Sequence, residues 1–417
     1  MNSLAVLLTS ILVAFGGLQR VSPAQAGLSA RGIELLDSTV NAAIADTVFP
    51  GAVVAVVRHD RLAYLKSYGL QAVLPERETM TDSTIFDLAS LSKPVSTAVA
   101  ALQLIQEGKL DPDAPVKTYI EGFAPWVNRR NKADSVDIKV RNLLLHSSGL
   151  PAYMSVDEFI EQRGPSHEEA VRFIATEAVR KDKPGTRRRY SCLNYITLQE
   201  IIEKLTEERL CDYAQEHIFR VLGMDDTQYF PYGATEELLW RIAPTEMEAD
   251  SSGYVRGHVH DPLAWKLGDG NSGNAGVFST ASDLATFCAA LLCGGTLYVQ
   301  RDGTLGAAIT DEPRSILSRD MVKLLRKVDP VTGRTFGWDS LGKSADDVEG
   351  TVFSRKSIIC HTGFTGPSIV IDFETGTAVI VLCSRLHPQD RSTVKWEHTL
   401  LGDVRAAIAD AVASAVK

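Results

Sequence analysis

The sequence predicts an α+β protein in which one antiparallel sheet is built from both ends of the chain. Two Val-rich or aromatic segments near the N-terminus, residues 52–57 and 62–68, are typical of strands. Short apolar runs of the same kind return between residues 357 and 383. The segment between them, about residues 90–295, is mostly helical in pattern. Because a sheet has to bury its faces, we expect strands from the two ends to pair, with helices flanking them.

The N-terminal elements begin with a helix over residues 29–45, where Ile33, Leu36 and Val40 recur at helical spacing. A Phe-Pro-Gly sequence ends it, and the Val-rich strand follows. A turn of His, Asp and Arg at residues 59–61 leads into the second strand. This order predicts a helix followed by a hairpin.

The C-terminal elements are three short strands and a closing helix. A Glu-Thr-Gly turn at residues 374–376 separates the last two strands. The strands are predicted at residues 357–361, 368–373 and 378–383, and the helix at residues 393–416.

Size and composition limit the class of protein. The chain has 417 residues, 45% hydrophobic and 23% charged, which excludes a disordered chain, a collagen and a polytopic membrane protein. The net charge of −9 makes nucleic acid an unsuitable partner, since its binding demands a positive face. A single core stops growing near about 250–300 residues. We therefore expect one region made of residues 27–89 and 296–417, and a second made of residues 90–295.

The N-terminus indicates export. Residues 4–18 are mostly apolar, a run too short to span a bilayer comfortably, and Ala24-Gln25-Ala26 forms a small-x-small pattern. These features predict a signal peptide, residues 1–26, cleaved near Ala26 to leave a periplasmic or secreted protein. The alternative is an uncleaved N-terminal membrane anchor, because the first three residues carry no Lys or Arg. No second segment is long and apolar enough for a stable membrane span.

The six cysteines show no C-x-x-C spacing and do not form a disulfide framework. Most lie in apolar runs, which favours buried free thiols, although export would permit a disulfide.

The most informative motif for chemistry is Ser90-Leu91-Ser92-Lys93. Residues three apart share one face of a helix. Pro94 is tolerated only near a helix start, so the helix is predicted to begin near Ser90 or Leu91. There the helix dipole stabilises developing negative charge, and Lys93 can help to activate the weakly nucleophilic serine. By itself, the motif also fits an N-cap serine with a solvated lysine.

Two further motifs follow in order. Residues 184–195 contain three arginines, Tyr190 and Cys192 before a helical segment, and residues 361–366 read His-Thr-Gly-Phe-Thr-Gly after an apolar strand. Together with the serine motif they resemble the serine β-lactamase and penicillin-binding-protein superfamily, above all class C β-lactamases, D-alanyl-D-alanine peptidases and related esterases. Connecting segments also resemble the family; these are residues 108–111, 144–150, 259–261, 273–280 and 336–339.

The resemblance implies a β-lactamase/transpeptidase-like fold and an exported serine hydrolase. Its substrates would be small molecules or muropeptide-like compounds with amide or ester bonds, as in cell-wall peptides. β-Lactam hydrolysis and carboxylesterase activity are the alternatives, and a catalytically silent, pocket-retaining binding domain is a remote one. No cofactor is implied, and the sequence does not indicate the oligomeric state.

The resemblance also implies residue roles. Ser90 corresponds to the acylated nucleophile, with Lys93 beside it and Tyr190 as general base. The backbone N–H groups of Ser90 and Phe364 would form the oxyanion hole. Substrate binding is assigned to four residues, Cys192, His361, Thr362 and Gly363.

This chain departs from the family pattern at two of these positions. Cys192 stands where class C enzymes have asparagine, and a thiol hydrogen-bonds only weakly, so efficient β-lactam hydrolysis is in doubt. His361 stands where class C β-lactamases usually have lysine. With an ordinary pKa near 6.5, His361 is expected to favour carboxylate-bearing substrates at mildly acid pH.

Several other residues have two interpretations. His258, His260 and Asp261 superficially resemble a metal site, but zinc needs three or four ligands and no partner cluster is evident, so no metal is predicted. The resemblance implies instead that His260 and Asp261 shape a loop near the site, and a purely structural role is the alternative. Trp338 either lines the pocket or packs in the core. The arginines at residues 187–189 either favour an anionic substrate or face water, and His146 is assigned no chemistry.

Overall fold

The computed structural model describes residues 16–248, 252–340, 353, 357–388 and 398–416. Most of the predicted signal peptide, and residues 393–397 of the predicted closing helix, lie outside the described residues. The helices are α1 (Ala30–Ala45), α2 (Ala98–Gln106), α3 (Val140–Leu144), α4 (Val156–Arg163), α5 (His167–Thr176), α6 (Cys192–Thr206), α7 (Leu210–Ala214), α8 (Glu236–Leu239), α9 (Pro262–Gly268), α10 (Ala281–Leu292), α11 (Arg319–Leu325) and α12 (His398–Ala415). The strands are β1 (Gly51–Arg58), β2 (Arg61–Ala72), β3 (Glu78–Thr79), β4 (Phe86–Asp87), β5 (Trp126–Val127), β6 (Ser135–Val136), β7 (Gln228–Tyr229), β8 (Val277–Ser279), β9 (Thr296–Val299), β10 (Leu305–Gly306), β11 (Pro313–Ser315), β12 (Ile358–Thr362), β13 (Ser368–Asp372) and β14 (Thr377–Cys383).

The main sheet has six antiparallel strands in the order β12-β13-β14-β1-β2-β3. Strand β1 from the start of the chain pairs with β14 from its end, in a register that runs from Ala52 opposite Cys383 to Arg58 opposite Thr377. The predicted α+β class and the assembly of the sheet from both chain ends are therefore confirmed.

Strand β1 lies at the centre of this sheet and is buried along its whole length. Val53 and Ala55 belong to the main core, on the face that packs against α10. Ala52 and Val54 belong to a second core that also contains residues of α1 and α12. Because both faces are covered, the strand is a continuous apolar run rather than an alternating one.

Helices α1 and α12, from the two ends of the chain, pack against each other. Ser29 caps α1 by accepting a hydrogen bond from the N–H of Gly32. A Cβ atom at Gly32 would lie 2.2 Å from the Cβ of Ala415, so the close approach of the two helices requires glycine at this position.

The region between the two halves of the sheet is mostly helical, as predicted, but it also contains short strands. Strands β4, β8 and β7 form one small sheet, and β5 pairs with β6. Strands of two or three residues are too short for an alternating pattern to reveal. Helix α10, at the end of the predicted inserted region, packs on the main sheet. The division of the chain at residues 90 and 295 stays a prediction.

The segment before α1 packs on the fold. The N–H of Val21 donates to the carbonyl of Leu62 at 3.1 Å, and the N–H of Leu62 donates to the carbonyl of Gln19 at 3.1 Å. Leu18 is only 6% exposed. Cleavage near Ala26 would remove these contacts, and the cleavage position stays a prediction.

All six cysteines lie within the described residues and are not joined in disulfides, and five of them are buried. This agrees with their positions in apolar runs. Among the described residues, no helix has the length and apolar character needed to cross a membrane.

Candidate active site

Ser90 lies in a tight helical turn at the start of the segment that leads into α2. The chain forms a 3₁₀ turn at Ala89–Leu91 and a π-helical turn at Lys93–Thr97 before regular α-helix begins at Ala98. The sequence predicted a regular helix from Ser90 or Leu91, and the structure corrects this. Pro94 has no N–H to donate, and the N–H of Ala98 bonds to the carbonyl of Lys93, five residues earlier.

This turn brings the side chains of Ser90 and Lys93 together. The Nζ of Lys93 donates to the Oγ of Ser90 at 3.0 Å and to the carbonyl oxygen of Asn274 at 2.7 Å. Lys93 is fully buried, whereas Ser90 is partly exposed. The serine hydroxyl is therefore accessible, and two hydrogen bonds fix the ammonium of Lys93 beneath it.

Two opposing effects act on the pKa of Lys93. Burial acts against its charged form, but the neighbouring Cys192 and Tyr190 more than offset this, so its pKa lies above the ordinary value. A charged ammonium donates hydrogen bonds and cannot accept the proton of Ser90. In its charged form, Lys93 therefore leaves the role of base to a second group.

Tyr190 lies next to Lys93, just before α6. The Nζ of Lys93 lies 5.2 Å from the centroid of the Tyr190 ring, and Tyr190 contributes to the raised pKa of Lys93. The structure thus brings together the three side chains that the sequence analysis predicted to be catalytic.

His146, which the sequence analysis assigned no chemistry, packs against Tyr190 with ring centroids 4.3 Å apart. Its Nδ1 accepts the N–H of Ser191 at 3.1 Å, which ties it to the backbone directly after the tyrosine. Burial lowers its pKa well below the ordinary value, so the imidazole is neutral. His146 supports Tyr190 from a segment more than forty residues earlier in the chain, and no local pattern signals that contact.

Cys192 is the first residue of α6 and is buried beside Lys93. Burial raises the pKa of its thiol, although hydrogen bonds with Lys93 and Asn274 act in the opposite direction. The amide of Asn274 donates to the Oδ1 of Asp261 at 3.1 Å, and Asp261 also caps α9. Asp261 therefore joins the start of α9 to Asn274, and its role in shaping the site stays a prediction.

His361 lies on β12, an edge strand of the main sheet, and is only 3% exposed. The pKa of His361 is lowered to about 3, mainly because the side chain is buried and also because Arg334 is nearby. Its Nδ1 donates to the carbonyl of Thr362 at 2.9 Å. The sequence-based expectation of a histidine that charges at mildly acid pH is therefore wrong, because an ordinary pKa presupposes contact with water.

The end of β12 meets the segment that precedes Ser90. A Cβ atom at Gly363 would lie 2.4 Å from the carbonyl oxygen of Leu88, so only glycine allows this approach. Next along the chain, the hydroxyl of Thr365 donates to the carbonyl of Asp87 at 2.8 Å. The two segments that carry the predicted oxyanion-hole residues, Ser90 and Phe364, are therefore in direct contact.

Asp87 is a residue of this site that the sequence analysis did not single out. Its buried carboxylate accepts the N–H of Ala89 at 2.8 Å and the N–H of His260 at 2.7 Å. Burial raises its pKa. Its place three residues before Ser90 is the one signal in the sequence that could have drawn attention to it.

The two histidines of the H-x-H-D pattern are bound to different partners. His260 contacts Glu246 at 2.6 Å, and its ring stacks on that of Phe364 with centroids 5.4 Å apart. His258 contacts Glu248 at 3.5 Å. His260 therefore lies beside Phe364, while the described residues do not bring the two histidines to a shared metal position.

Trp338 is fully buried and belongs to the main core, in line with the packing interpretation. Near it, Asp339 forms ion pairs with Arg334 at 2.5 Å and with Arg188 at 2.9 Å. The neighbours of Arg188, Arg187 and Arg189, both pair with Asp182. The three adjacent arginines thus pair with two different carboxylates, the buried Asp339 and the partly buried Asp182.

The chain is similar to several known proteins. A family model described as Beta-lactamase matches residues 36–403. A putative D-alanyl-D-alanine carboxypeptidase of Escherichia coli O157:H7 is 27% identical over 395 residues, which covers 88% of this chain and 85% of that protein. An N-acetylmuramyl-L-alanine amidase of Bacillus subtilis (strain 168) is 27% identical over 358 residues, covering 81% and 78%. Among solved structures, a hydrolase with promiscuous acyltransferase activity has the same fold, with a TM-score of 0.66 and 19% identity over 91% of this chain and 98% of that one.

Proposed function

The chain belongs to the β-lactamase family of serine hydrolases, and we propose that it cleaves amide or ester bonds of cell-wall-peptide-like substrates through an acyl-enzyme on Ser90. The observation that carries the proposal is the 3.0 Å hydrogen bond from the buried ammonium of Lys93 to the Oγ of Ser90. A solvated lysine, the alternative interpretation of the motif, would not be buried beneath the serine. The side chains of Ser90 and Lys93 also lie among the other residues of the site, which supports their assignment as a catalytic pair.

In the first step, Tyr190 enters as the phenolate, held beside the Lys93 ammonium. The Oγ of Ser90 attacks the substrate carbonyl carbon, and its proton passes to the phenolate oxygen of Tyr190. The charged Lys93 stabilises negative charge at both oxygens. The carbonyl oxygen becomes an oxyanion, which accepts hydrogen bonds from the N–H groups of Ser90 and Phe364. This electrostatic stabilisation is usually the largest single contribution to such a reaction.

In the second step, the bond from the carbonyl carbon to the leaving nitrogen or oxygen breaks, and the leaving group takes the proton from Tyr190. The acyl group is then an ester of Ser90. Water attacks this ester with Tyr190 again as base, which releases the acid and restores the hydroxyl of Ser90. No cofactor takes part in this scheme.

The relatives named carboxypeptidase and amidase support a muropeptide-like substrate. Such substrates lie outside the cytoplasm, so we also propose export, which agrees with the apolar N-terminal residues 4–18. Roles in substrate binding go to Thr362 and Gly363, at the end of β12, together with Cys192 and His361.

Ester cleavage is the second candidate, and Cys192 favours it. An asparagine amide at this position would both donate to and accept from a substrate amide, whereas a thiol does both weakly. An ester substrate has no N–H to pair. The loss of the amide therefore costs an ester less than it costs a peptide or a β-lactam.

Intact-protein mass spectrometry with a fluorophosphonate, a penicillin and a p-nitrophenyl ester tests the proposal. We expect adducts on the wild type and none on Ser90→Ala. Ser38→Ala, which changes a serine on α1, is the matched control and should react like the wild type. Adducts that persist in Ser90→Ala, or that are absent from the wild type with all three reagents, would contradict an acyl-enzyme on Ser90.

A further inference from the structure

We propose that Asp87 is a positioning residue that aligns the two backbone N–H groups of the oxyanion hole. This inference rests on the proposed function, since it assumes that Ser90 and Phe364 supply those groups. Asp87 touches neither the substrate nor the reacting atoms, and it acts through three hydrogen bonds to neighbouring segments.

The first hydrogen bond controls the turn of the nucleophile. The buried Oδ1 of Asp87 accepts the N–H of Ala89 at 2.8 Å. Ala89 has a φ of 45°, in the left-handed region that residues with a side chain rarely adopt. The N–H of Ser90 belongs to the peptide that follows Ala89, so its direction depends on this strained conformation being held.

The second hydrogen bond controls the opposite side of the hole. The carbonyl oxygen of Asp87 accepts the hydroxyl of the buried Thr365 at 2.8 Å. Thr365 directly follows Phe364, the second proposed donor. Contact between Gly363 and the carbonyl of Leu88 holds the same two segments together. One residue, Asp87, is thus bonded next to each of the two donors.

The third hydrogen bond reaches Phe364 by another route. The Oδ2 of Asp87 accepts the N–H of His260 at 2.7 Å. The ring of His260 stacks on the ring of Phe364, and its Nε2 contacts Glu246 at 2.6 Å. The loop that carries His260 therefore packs against Phe364 while its backbone is anchored on Asp87.

These contacts have a kinetic consequence. Oxyanion-hole donors act only when they lie about 2.7–3.1 Å from the oxyanion, so a small shift of either segment weakens both bonds. The loss should affect the tetrahedral transition state and leave ground-state binding unchanged. If Asp87 had a purely structural role, its substitution would lower stability but would not weaken the transition state selectively over ground-state binding.

Three threonine variants test the inference. Thr365→Val removes the hydroxyl that binds Asp87, Thr365→Ser keeps it, and Thr286→Val removes a buried hydroxyl from α10, outside the site. For Thr365→Val we expect kcat on a p-nitrophenyl ester to fall about tenfold or more, with KM within about twofold of wild type. The Ki of a boronic acid, which forms a tetrahedral adduct on Ser90, should rise by the same factor. Thr365→Ser should restore kcat to within about threefold, and Thr286→Val should change neither constant.

If Thr365→Val fails to fold, Asp87→Asn tests the two hydrogen bonds of the carboxylate instead. An amide has one acceptor oxygen, so either Ala89 or His260 loses its partner, and we again expect kcat and boronic acid affinity to fall together. A variant that unfolds at lower temperature but keeps wild-type kcat and boronic acid affinity would overturn the inference alone. Wild-type hydrolysis by Ser90→Ala would overturn the proposed function, and the inference with it.

Discussion

The ammonium of Lys93 donates a hydrogen bond to the Oγ of Ser90 at 3.0 Å, from a side chain that is fully buried. The ammonium donates a second hydrogen bond to the carbonyl of Asn274, which lies 181 residues further along the chain. Since the pKa of Lys93 is raised, the ammonium stays charged and orients the serine without taking its proton. The proposed role of Tyr190 as base depends on this division of roles.

We expect Lys93→Met to reduce kcat/KM for a p-nitrophenyl ester by about 100-fold or more, because the variant loses both the charge beside Ser90 and the partner of Tyr190. Initial rates and fluorophosphonate labelling measure the effect. Lys204→Met, which removes an exposed lysine of α6, is the control and should keep the wild-type rate. A Lys93→Met protein that is folded and equally active would contradict the assignment.

We expect Cys192→Asn to raise the turnover of a penicillin. The amide restores hydrogen bonds to the β-lactam side chain, and a gain of about tenfold corresponds to roughly 1.4 kcal/mol. Steady-state hydrolysis of the penicillin is the measurement. Cys288→Ala, at another buried thiol, serves as the control. Unchanged penicillin kinetics in Cys192→Asn would mean that the thiol does not limit β-lactam hydrolysis.

For the wild type, we expect the KM of a carboxylate-bearing substrate to change by less than about twofold between pH 5.5 and 8. The pKa of His361 is lowered to about 3, so this residue stays neutral over the whole range. The methyl ester of the same substrate controls for effects unrelated to its carboxylate. A KM that falls severalfold below pH 6.5 for the acid alone would show that His361 titrates in contact with water.

The same lowered pKa predicts a loss of stability in acid. Above the ordinary pKa of about 6.5, His361 is neutral in both the folded and unfolded states and contributes no pH dependence. As the pH falls from 6.5 toward 3, the unfolded chain binds a proton that the folded chain does not. Unfolding then becomes more favourable by about 1.4 kcal/mol per pH unit for this one group.

His361→Gln should remove the part of the pH dependence of the unfolding free energy that His361 contributes. Urea unfolding at pH 7, 6 and 5 measures it, and His217→Gln, at a half-exposed histidine, should keep the wild-type slope. Equal slopes for His361→Gln and the wild type would contradict the prediction.

We expect protein that lacks residues 1–26 to be less stable than protein that lacks residues 1–15. Leu18 is 6% exposed in the fold, and loss of a buried leucine side chain costs about 1.5–3 kcal/mol. Urea unfolding of the two forms measures the difference, and N-terminal sequencing of exported protein locates the cleavage position. Equal stabilities would support cleavage near Ala26.

The long elements of the fold followed from the sequence, because an extended apolar pattern reports which face of a helix or strand is buried. The predicted strand at residues 52–57 is β1, and the predicted helix at residues 29–45 is α1. The short strands such as β4 and β8 were missed, since two or three residues carry no period. The π-helical turn after Ser90 was also missed.

Within the site, local spacing was enough for the contact between Ser90 and Lys93, because three residues of helical turn place them side by side. It was not enough for Asp87 and Thr365, which are joined across 278 residues. Nor could it show that His258 and His260 are bound to separate glutamates.

By itself, the sequence determined the order of the elements, the class of fold and the chemical groups that the site contains. Only the tertiary structure decided the state of those groups: a charged Lys93, a neutral His361 and an Asp87 bonded on both sides of the proposed oxyanion hole. Charge state depends on how much water and which charges surround a group. Those surroundings come from segments far apart in the chain, and a local pattern does not contain them.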